Sequence, residues 1–75
     1  MEEIQRIGEN AGKIWHVLNE RKELPAMELS RCIGASYDDT IMAVGWLARE
    51  NKVCLYRRNG ELFVSNMIRY EFSFG

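Results

Sequence analysis

The sequence predicts an α+β fold: three helices, then a β-hairpin, then a further strand at the C-terminus. Three observations carry that expectation. Apolar residues recur at helical spacing from Ile4 to Leu18; a second helical pattern opens behind a capping residue, Ser36; and Asn59-Gly60 sits in the middle of a stretch whose period has changed from helical to two. The chain has 75 residues and is expected to form one domain over 1–75. A core of that size buries only about 60% of the unfolded surface, so help from a staple or a partner is expected. With 47% hydrophobic and 28% charged residues, disordered and low-complexity classes are excluded.

Ile4, Ile7, Ala11, Ile14 and Leu18 follow the three-four spacing of one helical face, widened by Trp15 and Val17, which predicts helix one over about 2–21. Gly8 and Gly12 each cost about 1 kcal/mol of helix propensity relative to alanine. Close approach of another helix is the expected compensation, the alternative being that both are simply exposed. His16 falls just off the apolar stripe and has no second histidine or cysteine pair at ligand spacing, so neither a metal nor a cofactor is expected.

Pro25 forbids helical continuation and pushes Leu24 toward extended backbone. Helix two follows over about 26–33, with Met27, Leu29, Cys32 and Ile33 as its buried side and Gly34 in the turn after it. Helix three is expected over about 37–50. Ser36 caps it, and Asp38 and Asp39 sit where the helix dipole favours negative charge. Thr40, Val44 and Leu47 point inward with Ile41 and Ala48 alongside, Asp39, Met42 and Trp46 point outward, and Asn51 suits the left-handed residue that stops the helix.

The hairpin is expected over 53–66, because both residues of its Asn59-Gly60 turn readily take positive φ. Pairing outward from the turn sets Arg58 opposite Glu61, Arg57 opposite Leu62, Tyr56 opposite Phe63 and Leu55 opposite Val64. Val53, Leu55, Leu62 and Val64 then share one face. Cys54, Tyr56 and Phe63 form an opposite face that is unusually apolar for one meeting water. In the last segment, Ile68, Tyr70, Phe72 and Phe74 alternate with polar or flexible neighbours, predicting a strand over 67–74 with one apolar side. Pairing with a second copy, giving a homodimer, is the expected cover, against an intramolecular third strand beside the hairpin.

Several function classes drop out. No apolar run approaches the roughly 18 residues that a membrane helix needs, and the acidic opening Met1-Glu2-Glu3 is unlike a secretory signal. Cys32 and Cys54 stand alone and read as small buried hydrophobes, so a reduced, cytoplasmic protein is expected. One histidine, no glycine-rich phosphate loop and no nucleophile-base spacing point away from an enzyme, and no catalytic residue is assigned.

The order helix, short helix, turn, capped helix, hairpin, with Ile33-Gly34-Ala35-Ser36 followed by Thr40, Val44, Leu47 and Val53, resembles bacterial winged helix-turn-helix regulators. Gly34, Gly45-Trp46-Leu47 and Asn59-Gly60 look closest to a family of small stand-alone bacterial winged-helix proteins of uncharacterised function. The resemblance implies a third helix presented to the DNA major groove and a wing near a minor groove or phosphate. Carried onto this sequence, it places Tyr37 and Thr40 near the groove and Lys52, Arg57, Arg58 and Asn59 on phosphate of double-stranded DNA. Charge qualifies that picture. Between Ser36 and Gly45 there is no Arg, Lys, Asn or Gln to read a base, and the whole chain carries a formal charge of −1. The alternative is a protein-interaction or dimerisation module, with Met42 and Trp46 as anchors inside a rim of Asp38, Asp39 and Arg49.

Overall fold

The computed structural model describes residues 2–66, which form α1 (Glu2–Arg21), β1 (Glu23–Pro25), α2 (Ala26–Ile33), α3 (Tyr37–Arg49), β2 (Cys54–Arg58) and β3 (Glu61–Ser65). The α+β class expected from the sequence is the one observed. Glu2 and Glu3 in the first turn of α1 and Arg21 in its last complement the helix dipole. Asn10, Ala11, Ile14 and Leu18 are buried on one side, whereas Ile4, at the far end of the same stripe, projects past the core and is exposed. Lys22 takes a left-handed backbone (φ 71°) and donates its N–H to Leu18 O at 2.8 Å, which turns the chain out of the helix.

The glycines of α1 do not mark a helix contact. A methyl group added at Gly8 or Gly12 meets nothing within 4 Å, so the expectation of a close approach is overturned and both glycines weaken the helix without compensation. Gly8→Ala combined with Gly12→Ala is expected to stabilise the fold by about 1–2 kcal/mol. In a domain of this size a thermal melt should register that as a rise of several degrees. An unchanged or lower midpoint would mean that the space beside α1 is occupied in solution.

β1 is the element that the sequence does not announce. Three residues are too few for a visible period, and Pro25 is tolerated there because β1 is an edge strand. It pairs antiparallel with β3 (Glu23 opposite Ser65, Leu24 opposite Val64, Pro25 opposite Phe63), so the strand order is β1-β3-β2 and the hairpin's second strand is central. The sheet thus draws its third strand from between α1 and α2. Segment 67–74, expected as a further strand, lies outside the described residues.

Pro25 also precedes the first turn of α2, whose buried stripe is Ala26, Leu29 and Ser30, with Ile33 packed against the core. Met27 and Cys32 were expected on that side and are instead exposed, because neither falls on the three-four repeat that starts at Ala26. Cys32 is therefore not a buried hydrophobe; Cys54 is half-buried. Gly34, left-handed at φ 69°, donates to Arg31 O and makes the turn to α3. There Ser36 Oγ accepts from Asp39 N at 3.1 Å, the expected cap. Thr40, Ala43, Val44 and Leu47 form the buried side of α3, and Asn51 (φ 62°) stops it.

Asn59 (φ 55°) and Gly60 (φ 82°) make the primed turn of the hairpin, and the register beyond it is the one expected, from Arg58 opposite Glu61 to Leu55 opposite Val64. α2 packs over β1 and β3, which seals Leu24 and Val64. Leu55 shares their face but sits on the far edge strand, where it remains 43% exposed. The core is closed by Ile14, Leu18, Leu29, Val44 and Val64, all fully buried.

Candidate nucleic-acid interface

Where the hairpin leans toward the start of α3, a groove of about 390 Å³ opens, lined by Met27, Tyr37, Arg57, Asn59, Gly60, Glu61 and Leu62. Three of the six positions assigned to DNA meet here: Tyr37 from the first turn of α3, and Arg57 and Asn59 from the hairpin. The primed turn carries Asn59 at the tip. Arg57 Nη1 donates to Gly60 O at 3.2 Å, which holds the guanidinium beside the turn while leaving other donors open.

The other three positions lie elsewhere. Strand alternation sends Arg58 to the opposite face of the sheet from Arg57. There Tyr56 and Phe63 stack with centroids 5.4 Å apart and planes 12° from parallel. The Arg58 guanidinium lies 4.8 Å from the Phe63 centroid and 5.4 Å from that of Tyr56. Arg58 Nη2 also donates to the Tyr56 hydroxyl at 3.0 Å and stands 3.9 Å from a Glu23 carboxylate oxygen, which in turn accepts from the Tyr56 hydroxyl. The apolar face of Tyr56 and Phe63 thus receives its cover from the chain's own arginine and from β1. Glu23 is the participant that sequence reasoning missed, since its strand was not visible.

Lys52 lies beyond the C-terminal end of α3, not by the hairpin tip. Its ammonium is 3.9 Å from Glu50 Oε1 and 5.9 Å from the Trp15 ring centroid, and it lines a smaller groove of about 210 Å³ between α1 and α3. Thr40 is a correction. It is fully buried, and its hydroxyl donates to Ser36 O at 2.8 Å, so it serves the core and the first turn of α3, as its inward spacing requires, and cannot reach a groove edge.

Met42 and Trp46 are both 43% exposed on the outer side of α3. The remaining interface candidates, Ile68, Tyr70, Phe72 and Phe74, lie outside the described residues. Met27, Glu61 and Leu62 also line the hairpin groove, although the sequence assigns them structural places alone: Met27 on the buried side of helix two, Glu61 opposite Arg58 and Leu62 on the inner face of the hairpin. Among the described residues no three His, Cys, Asp or Glu side chains converge as a metal site would need, and no helix is long and apolar enough to cross a membrane.

A solved structure shares this architecture. Protein BT2368 from Bacteroides thetaiotaomicron, known from a solution NMR structure, aligns over 100% of this chain and 90% of its own, with a TM-score of 0.80 and 47% sequence identity. An uncharacterised protein of Methanocaldococcus jannaschii, MJ1608, is 46% identical over 50 residues, which cover 64% of this chain and 71% of that relative. Residues 1–66 match the model of a winged helix-turn-helix domain family, DUF2582, so the hairpin is the wing of that fold and the chain belongs to this family.

Proposed function

We propose that this protein is a DNA-associated winged-helix module that holds the duplex backbone from its wing side, with Arg57 and Asn59 on phosphate and Tyr37 against the sugar edge. The supporting observation is the groove that gathers these three side chains at the start of α3. DNA affinity comes chiefly from neutralised phosphates, and polar contacts to the backbone set orientation. Glu61 in the same groove and Asp38 and Asp39 nearby in sequence keep the local cation surplus small. Binding is accordingly weak, confined to low salt and indifferent to sequence. On the outer side of α3 stand Asp38, Met42 and Trp46, and the one guanidinium there, that of Arg49, lies in the last turn, away from the N-terminal end that reads bases in this fold. The module acts by binding alone, in the manner of a transcription-associated protein, with no catalytic step.

The test is an NMR titration of the full chain with a short duplex at low salt. Amide shifts are expected at Tyr37, Arg57, Asn59 and Gly60, with a log-log salt slope near −1 for the one phosphate that Arg57 neutralises. Arg57→Ala should weaken binding several-fold, whereas Arg58→Ala should leave it unchanged, because that guanidinium lies on the other face of the sheet. An absence of shifts at low salt, or equal losses in the two variants, would refute the reading.

A further inference from the structure

The outer side of α3 presents Asp38, Met42, Gly45, Trp46 and Arg49, all exposed. At about 100° per residue they fall within one arc, opposite Thr40, Ala43, Val44 and Leu47, which face the core. The stripe has a direction: its acid, Asp38, is at the start of the helix and its base, Arg49, at the end. Among the described residues neither side chain takes part in an ion pair or a hydrogen bond. Between them a protruding Met42 alternates with Gly45, where an added methyl group would meet nothing within 4 Å.

We infer that this face pairs antiparallel with the same face of a second copy of the chain, about a two-fold axis level with the Ala43-Val44 peptide. A two-fold contact must be self-complementary, with residue i meeting j and j meeting i. One axis position satisfies both pairs here. It sets Asp38 opposite Arg49 of the second copy, and Met42 opposite Gly45, each pair being centred midway between residues 43 and 44. The flexible thioether of Met42 fills the dimple over Gly45. Trp46 on the flank of the stripe supplies the aromatic anchor typical of an interface. Opposite charges at the two ends fix the antiparallel sense, since a parallel pairing would set Asp38 against Asp38 and Arg49 against Arg49.

The charge order identifies the occupant as a second copy. A DNA phosphate would be repelled by Asp38 and would find no cation facing the middle of the stripe. The stripe is only about 16 Å long, so the pairing is weak and concentration-dependent. It withdraws the outer side of α3 from any duplex but leaves the wing groove open, and it stands whether or not the wing binds DNA.

Sedimentation equilibrium and an NMR dilution series of the full chain test the pairing. The expected result is reversible dimerisation at high protein concentration, with amide shifts centred on residues 38–49. Asp38→Arg and Arg49→Asp, made separately, each set like charges against one another at both ends and should weaken dimerisation at least about tenfold. An equimolar mixture of these two variants should dimerise again, because every end contact is then opposite in sign. Gly45→Gln, which fills the dimple at an exposed helical position, should also weaken pairing while the circular dichroism spectrum keeps its helical form. A wild-type chain that stays monomeric, a dimer that survives both single swaps, or a mixture that fails to recover would each overturn the inference.

Discussion

Replacing Val64 with aspartate is expected to abolish the native state at neutral pH. Val64 is fully buried on the central strand, flanked by Leu24 on β1 and Leu55 on β2, in a core of aliphatic side chains. A carboxylate placed there has no cation to meet, and burying an unpaired charge costs more than a small domain has to give. At roughly 0.05–0.15 kcal/mol per residue, the total stability of a chain this size is about 4–11 kcal/mol. Desolvation raises the pKa of the introduced carboxyl in the folded state above its unfolded value. A group shifted in that direction binds its proton more tightly when folded, so the penalty is greatest above the folded pKa and shrinks as pH falls through it. The Val64→Asp chain should therefore regain structure at mildly acidic pH, and Val64→Asn, similar in shape but without a charge, should show no such recovery. Circular dichroism and amide-resolved NMR across pH decide it. A native spectrum for the aspartate variant at neutral pH would mean that β3 is not the central strand.

Truncating Leu29 to alanine should cost about 3 kcal/mol, within the range for a leucine deleted from a packed core. Leu29 is fully buried at the junction where α2 meets α1, α3 and the sheet. In a domain this small the loss lowers the melting midpoint by roughly 10–20 °C. The damage spreads because α2 has eight residues, too few to persist as a helix without its tertiary contacts. Hydrogen exchange should accelerate first in α2 and in the turn at Gly34, and Met27 should lose its place in the wing groove. Met27→Ala is the internal comparison. Its side chain is 48% exposed, so truncation should shift the midpoint by only a degree or two, although both residues belonged to the apolar side of helix two as read from the sequence.

Met27 and Leu29 illustrate how far pattern reading carries. Apolar identity places both residues on a helix, but in an eight-residue element a shift of the stripe by one position is hidden by the few residues available to define it. Where the chemistry is specific to a position, the reading is sharp: Ser36 accepts the Asp39 amide, Asn51 stops α3, and Asn59-Gly60 sets a register that holds over the strand pairs beyond it. The site was less legible. Tyr37, Arg57 and Asn59 do come together, but Thr40 belongs to the core, Lys52 to the far end of α3 and Arg58 to the opposite face of the sheet. For Arg57 and Arg58 the parity of the strand already separated two adjacent arginines that composition had counted as one basic patch.

The chain's own order of residues thus specifies the three helices, their caps and the wing turn, because each arises from side chains a few positions apart acting on a local backbone. Packing in three dimensions specifies the rest. Glu23 reaches Tyr56 and Arg58 over more than thirty positions of chain, and β1 becomes a strand only because β3 lies alongside to accept its hydrogen bonds. No periodicity announces such a pairing, since a three-residue strand has almost no preference of its own and takes its conformation from the partner it meets.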